Sequence, residues 1–164
     1  LGDKILLGVG TVTDDDTCRA AIDAGAKYIV SPVTKPSLVG AAHALDRPVM
    51  LGAYTPTEAQ AAHEAGSDFV KIFPADTLGP GYIKSLLAPL PHLKIVPTGG
   101  VNLDTMEAFL AAGSAAPATA NESWSVAGSV ISRTPSHPGS PASLTRMNSP
   151  HNNPCATSVV KVAT

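Results

Sequence analysis

Apolar runs alternate with Ala-rich stretches from residue 1 to about residue 116, and this alternation predicts strands separated by helices. The apolar runs recur about every 20–25 residues, which leaves room for one helix and two short loops between strands. Most of the runs are apolar at successive positions, as expected for parallel strands covered by helices on both faces. The predicted strands are residues 5–9, 28–31, 48–53, 69–73 and 94–98.

Three of the intervening helices carry start and stop signals. The helix predicted over residues 14–24 begins with three aspartates, which suit the positive end of its dipole. The helix predicted over residues 56–65 has Thr55 as its N-cap and a proline at its first position. These two helices and a third, over residues 103–112, each stop at an Ala-Gly step. The pattern indicates an α/β fold, either a β/α barrel or a doubly wound sheet.

The composition changes after residue 116. Ser, Pro, Thr, Asn and His then dominate, which predicts a low-complexity, disordered segment over residues 117–164, clearest in 132–153. The chain thus divides into a β/α region, residues 1–116, and a tail. The strand expected after Gly113 is weak, so about five strands are predicted and an eight-stranded barrel is left incomplete.

Charge and cysteine content exclude several function classes. The formal net charge is -2 and no basic block is present, so nucleic acid and anionic membranes are not predicted partners. No apolar run approaches the roughly 20 residues that span a bilayer. Cys18 and Cys155 are far apart, which favours a reducing compartment such as the cytoplasm. No histidine has a ligand-spaced partner, so we predict neither a metal nor a cofactor.

Lys71 is the strongest candidate for chemistry. It shares a strand face with Phe69 and Phe73 in an otherwise apolar run, so its ammonium group is costly to desolvate. Desolvation lowers the pKa of a lysine, and a neutral amine can attack a keto group to form an imine. The alternative is a lysine at a strand end whose ammonium reaches solvent.

Two further segments are suited to ligand binding. Gly99 and Gly100 follow a predicted strand and precede a helix, where backbone amides can bind a phosphate or carboxylate. Thr11 follows the first strand, where its hydroxyl could bond a substrate oxygen. Each segment taken alone is better explained by an ordinary turn.

Together these segments resemble the 2-keto-3-deoxy-6-phosphogluconate aldolase and 4-hydroxy-2-oxoglutarate aldolase family of class I aldolases. The resemblance covers residues 5–113 and rests on four motifs in the expected order. They are Gly-Val-Gly-Thr-Val at 8–12, Ala-Gly-Ala-Lys-Tyr-Ile-Val-Ser-Pro at 24–32, Val-Lys-Ile-Phe-Pro-Ala at 70–75 and Pro-Thr-Gly-Gly-Val at 97–101.

The resemblance implies a (β/α)8 barrel of the TIM type, here incomplete, and a lyase of the Entner–Doudoroff pathway. Its substrate would be cleaved to pyruvate and glyceraldehyde 3-phosphate without a metal, in a homo-oligomer that is usually a trimer. Lys71 would form the Schiff base, and Gly99 with Gly100 would bind phosphate. The pyruvate pocket would be lined by Thr11, Pro32, Phe73 and Thr98.

Two departures from the family pattern leave other interpretations open. The family's Glu-x-x-x-Arg motif, which supplies the proton-transfer base and a carboxylate ligand, has no counterpart before residue 5. The family's eighth strand and Gly-Gly-Ser phosphate loop are not recognisable after Gly113. The alternatives are a non-catalytic fragment or pseudoenzyme of the same fold, and a related aldolase for phosphogalactonate-type keto acids.

Overall fold

The structure, a computed structural model, describes residues 5–118 and 159–163, with side-chain surroundings for residues 6–118. Strands and helices alternate regularly over the first of these segments. The elements are β1 (Ile5–Val9), α1 (Asp15–Asp23), β2 (Ile29–Val30), α2 (Ser37–His43), β3 (Val49–Ala53), α3 (Pro56–Glu64), β4 (Phe69–Ile72), α4 (Gly79–Leu87), β5 (Ile95–Pro97), α5 (Leu103–Ala111) and β6 (Val159–Ala163).

Five parallel strands form one curled sheet, with the neighbour order β5-β4-β3-β2-β1. Each predicted strand is present, and the observed limits lie within one residue of the predicted ones. Because every crossover contains a helix, consecutive strands run in the same direction and their carboxyl ends meet at one edge. The architecture is an incomplete β/α barrel, which confirms the predicted fold class.

Strands β2 to β5 are largely buried on both faces, whereas Leu6 and Leu7 of β1 are exposed. On the face covered by the helices, Leu51, Val70 and Ile72 belong to the main hydrophobic core and are at most 1% exposed. On the opposite face, Val30 and Met50 belong to a smaller cluster with Val96 and Ala118. Burying one aliphatic side chain stabilises a fold by about 1.5–3 kcal/mol, so the larger cluster supplies most of the stability.

The predicted helix signals act where expected. Asp14 caps α1 by accepting from the Thr17 amide at 2.7 Å, and Thr55 forms a capping box with Glu58 at the start of α3. At the start of α5, where no cap was predicted, the Asn102 side chain accepts from the Thr105 amide at 2.9 Å. The three Ala-Gly stops each end a helix with the glycine at positive φ, where a side chain would be strained.

Two pairings at the sheet edges go beyond the predicted strands. After α5 the chain runs beside β5, where the amides of Ala115 and Ala118 donate to Ile95 and Pro97 and a parallel bridge joins Thr98 to Ala118. At the other edge, β6 pairs antiparallel with all of β1. The residues predicted to be most disordered, 132–153, lie outside the described part of the chain.

No helix in the described segments is long and apolar enough to cross a membrane.

Candidate active site

Lys71 lies near the carboxyl end of β4, beside Gly52 of β3 and Val96 of β5 in the sheet register. Its side chain points to the concave face, away from the helices, and is only 8% exposed. The Phe73 ring centroid lies 4.5 Å from Nζ. Within the described segments no oxygen accepts a hydrogen bond from this ammonium, so the charged form has lost water without gaining an anion.

Burial lowers the pKa of Lys71 to about 8 from an ordinary value of 10.5. A shift of this size corresponds to about 3 kcal/mol, whereas an aromatic ring stabilises a nearby cation by about 0.5–2 kcal/mol. Desolvation therefore outweighs the contact with Phe73. At pH 7 the neutral fraction rises from about 0.03% for an ordinary lysine to about 10% here.

The lowered pKa gives a stability prediction with a defined sign. Between about pH 8 and pH 10.5 the unfolded chain holds a proton on Lys71 that the folded chain does not, so folding becomes more favourable as pH rises. Lys71→Met should therefore stabilise the protein by up to about 3 kcal/mol at pH 7 and by about 1 kcal/mol at pH 10. Urea unfolding of both proteins at the two pH values measures this; a pH-independent difference would contradict the lowered pKa.

The loop after β4 is hydrogen-bonded to the loop after β5. The amide of Ala75 donates to the Thr98 carbonyl at 2.8 Å, and the amide of Asp76 donates to the Gly99 carbonyl at 3.1 Å. The Thr98 amide in turn donates to Ile72 at 2.9 Å. These bonds fix the buried Thr98 close to the strand that carries Lys71.

Gly99 and Gly100 have φ angles of 89° and 69°, a backbone conformation that favours glycine. A Cβ on Gly99 would touch the Phe73 ring at 3.1 Å, so the absence of a side chain lets that ring lie against the loop. The Gly99 amide lies in the parallel bridge between Thr98 and Ala118, whereas the amides of Gly100 and Val101 donate to no protein atom within the described segments. Two adjacent amides of this kind before a helix are suited to an anionic ligand.

Asp76 was not predicted to belong to the site. Its Cβ occupies the space that a Cβ on Gly100 would fill, and its carboxylate oxygen Oδ2 lies 3.0 Å from that position. One carboxylate oxygen accepts from the Thr77 amide at 2.9 Å. A negative charge therefore lies beside the amides expected to receive phosphate. Residues 76 and 100 are distant in sequence, and they meet only because the loop after β4 is hydrogen-bonded to the loop after β5.

Pro32 follows β2 and reaches the site across Gly52. A Cβ on Gly52 would collide with the Pro32 carbonyl group and with the Val33 nitrogen. The missing side chain on β3 therefore lets the Pro32 backbone approach the strand next to Lys71. The sequence alone does not identify Gly52 as part of the site, since a single glycine in a strand can also mark a bulge or a bend.

Thr11 follows β1 and has a φ of 61°, which is unusual for a residue other than glycine. It is half-buried at the same end of the sheet, where the next residue, Val12, donates to Val30. Direct contacts and hydrogen bonds thus bring together Lys71, Phe73, Thr98 and the two glycines. Pro32 joins them through Gly52, while Thr11 lies at the same edge but three strands away.

Three or more potential metal-ligating side chains do not cluster anywhere in residues 5–118 or 159–163. The arrangement of Lys71 is instead suited to nucleophilic chemistry. An amine with a pKa near 8 in an apolar environment can add to a carbonyl carbon at neutral pH.

Comparison with known proteins places this arrangement in a family. Among curated proteins, 2-dehydro-3-deoxy-phosphogluconate aldolase of Treponema pallidum is 39% identical over 110 residues, covering 65% of this chain and 51% of the relative. The 2-dehydro-3-deoxy-6-phosphogalactonate aldolase of Escherichia coli is 35% identical over 134 residues, covering 81% and 65%. The chain spans about half to two thirds of the length of these curated relatives.

The chain is also similar to proteins of known structure. A native KDPGal structure superposes with a TM-score of 0.67 at 37% identity, over 72% of this chain and 57% of that one. A designed protein cage, made by fusing symmetric oligomeric domains, superposes with a TM-score of 0.64 at 35% identity, over 68% and 42%. KDPG aldolase of Legionella pneumophila, with pyruvate captured at low pH as a covalent carbinolamine intermediate, gives a TM-score of 0.58 at 29% identity, over 63% and 50%.

The model of the KDPG and KHG aldolase family matches residues 2–136, most of the chain. KDPG is 2-keto-3-deoxy-6-phosphogluconate, and KHG is 4-hydroxy-2-oxoglutarate. This match agrees with the resemblance noted in the sequence motifs. The chain belongs to the KDPG and KHG aldolase family.

Proposed function

We propose that this chain carries the Schiff-base chemistry of a class I aldolase acting on phosphorylated 2-keto-3-deoxy sugar acids. The observation that carries the proposal is Lys71, a buried amine with a pKa of about 8 at the carboxyl edge of the sheet. In β/α barrels this edge is where active sites lie. The covalent pyruvate carbinolamine of the Legionella pneumophila relative supports the same chemistry for this family member.

The reaction begins when the neutral Nζ of Lys71 attacks the C2 keto carbon of the substrate. The resulting carbinolamine loses water to give a protonated imine, which draws electrons from the neighbouring bond. When the C4 hydroxyl loses its proton, the C3–C4 bond breaks, releasing an aldehyde and leaving an enamine on Lys71. Protonation at C3 and hydrolysis then release pyruvate and restore the amine.

The remaining site residues have binding roles in this proposal. Thr98 and Phe73 border the carbon atoms attached to Lys71, and Pro32 and Thr11 complete the pyruvate pocket. The backbone at Gly99 and Gly100 binds the phosphate at the other end of the substrate. The family's glutamate that accepts the C4 hydroxyl proton has no counterpart in this sequence, so that role is assigned to no residue of this chain.

The substrate is 2-keto-3-deoxy-6-phosphogluconate in our proposal, with cleavage to pyruvate and glyceraldehyde 3-phosphate as in the Entner–Doudoroff pathway. The similar relatives differ in the substrate for which they are named, since one is a phosphogluconate aldolase and another a phosphogalactonate aldolase. Pyruvate release from each of the two sugar acids, measured with a coupled lactate dehydrogenase assay, tests the choice. Faster release from the galactonate epimer would reverse it, and release from neither would leave only a non-catalytic member of the family.

We also propose that the chain assembles as a homotrimer. Several large apolar side chains at the same end as Lys71 are exposed, namely Val33 at 46%, Tyr54 at 45% and Phe73 at 41%. An apolar surface of this kind is commonly covered by a partner subunit. Light scattering after size exclusion should give three times the chain mass of 16.6 kDa; a monomer at micromolar concentration would contradict the trimer.

Asp76 should weaken phosphate binding at the neighbouring amides. Repulsion between a carboxylate and a phosphate dianion about 5 Å apart amounts to about 1–2 kcal/mol in water-like surroundings. Asp76→Asn keeps an oxygen for the Thr77 amide but removes the charge, so we expect inorganic phosphate to inhibit pyruvate release from the phosphorylated sugar acid at about tenfold lower concentration. Asp23→Asn, which removes an exposed charge at the end of α1, is the control. Equal inhibition constants in all three proteins would argue against phosphate binding at Gly99 and Gly100.

A further inference from the structure

At the end of the sheet opposite Lys71, two histidines meet in a cleft of about 260 Å³. His63 lies in the last turn of α3, and His92 lies in the segment that leads from α4 into β5. The amino-terminal ends of β4 and β5 form the floor of this cleft through Phe69 and Lys94. The proposed aldolase chemistry uses none of these residues.

The spacing of the two rings fits a shared metal ion. Their centroids are 4.7 Å apart, and the ring planes are tilted by 54°. Two imidazoles bound to one ion at about 2.0–2.1 Å, with an angle of about 90–109° between them, place their centroids about 4.5–5.2 Å apart. The observed separation lies within this range.

Hydrogen bonding prepares His92 as a ligand. Its Nε2 lies 3.0 Å from the amide oxygen Oε1 of Gln60, and the Gln60 amide nitrogen donates to Glu64 at 2.7 Å. Because an amide oxygen can only accept, the hydrogen of a neutral His92 ring is on Nε2, which leaves the Nδ1 lone pair available. Metal-bound histidines are typically oriented in this way by an acceptor on their other nitrogen.

The surrounding charges favour a cation over an anion. The carboxyl end of α3 directs its negative dipole end toward the cleft, and Glu64 and Asp68 add carboxylates. Asp68 is shared with His43 at 2.9 Å and with the Val49 amide at 2.8 Å. Lys94 opposes them with one positive charge, and its ammonium lies 5.9 Å from the Phe69 ring centroid.

We propose that His63 and His92 together bind one divalent transition-metal ion of the Zn²⁺ class, with water completing the coordination. Imidazole nitrogens are preferred ligands of such ions. The ion would join α3 to the segment entering β5, two parts of the chain far apart in sequence. A metal ion that binds only the folded chain increases its stability, so this site would act as a clip on the half-barrel.

Zinc titration of a chain carrying His137→Ala and His151→Ala tests the site, because only the three described histidines then remain. We expect one zinc ion per chain by calorimetry and a Tm rise of about 5–10 °C at 100 times the Kd. His63→Gln and His92→Gln should each weaken binding at least tenfold. His43→Gln, which removes the neighbouring exposed histidine paired with Asp68, should leave binding unchanged.

A spectroscopic measurement keeps the proposal testable if a variant unfolds. In the intact background chain, zinc should shift the ring nitrogen resonances of His63 and His92 but not of His43. No binding at millimolar zinc, or binding lost only with His43→Gln, would overturn the proposal. Protection by sodium phosphate instead of zinc would show an anion site, and the ring contact would then be an ordinary tilted aromatic pair.

Discussion

Lys71→Met should abolish covalent capture of pyruvate while leaving the protein folded. At pH 7 the neutral fraction of Lys71 exceeds that of an ordinary lysine by about 300-fold, given its pKa of about 8. In the wild-type chain, borohydride reduction with pyruvate should therefore label one site far faster than any other. In the variant, intact-mass spectrometry should show labelling only at the slow rate of surface lysines.

Lys94→Met is the matched control for this experiment. Lys94 is also a lysine beside an aromatic ring, but it is exposed and lies at the opposite end of the sheet. Its loss should leave adduct formation unchanged. Adduct formation by the wild-type chain should also rise about tenfold per pH unit below pH 8 and level off above it. Equal labelling of the wild type and Lys71→Met would remove Lys71 from the mechanism.

Gly52→Val should have the largest effect on stability. Any side chain at this position meets the Pro32 backbone, which cannot rotate away as a flexible side chain would. Overpacking of this kind costs about 2–4 kcal/mol, so the Tm should fall by roughly 5–15 °C. Because Pro32 would also shift, the concentration of pyruvate needed for half-maximal adduct formation should rise. Calorimetry and borohydride trapping measure the two effects.

Gly40→Ala provides the comparison for Gly52→Val. Gly40 is an exposed residue of α2, and no neighbouring atom lies within 4 Å of the position of an added Cβ. Alanine should stabilise that helix by about 0.5–1 kcal/mol without affecting pyruvate capture. Similar behaviour of the two variants would mean that the close approach of Pro32 to Gly52 is unimportant.

The strands and helix ends could be predicted because their signals are local. Residues 69–73 are apolar at every position except Lys71, which identifies a buried strand from sequence alone. The predicted cap at Thr55 depends on side-chain bonds within one helical turn. The motif order then placed Lys71, Thr98 and the paired glycines at one edge of the sheet, and the contacts between the two loops agree with that expectation.

What the sequence could not reveal depends on contacts between distant residues. The approach of Pro32 to Gly52 and the position of Asp76 beside Gly100 exist only after the loops meet. No two histidines are spaced along the sequence as metal ligands usually are, yet the fold brings the rings of His63 and His92 into contact. The pairing of β6 with β1 could not be predicted from a local sequence pattern either, because it joins residues at opposite ends of the chain.

The most direct test of the account is to locate the reduced pyruvate adduct by peptide mapping. Wild-type protein treated with pyruvate and borohydride at pH 7 should carry one reduced adduct per chain, on the peptide that contains Lys71. The same peptide should take up no ¹³C-pyruvate when its adduct with unlabelled pyruvate has first been reduced with borohydride. A folded protein that forms no adduct, or that distributes it among its exposed lysines, would contradict a Schiff-base role for Lys71.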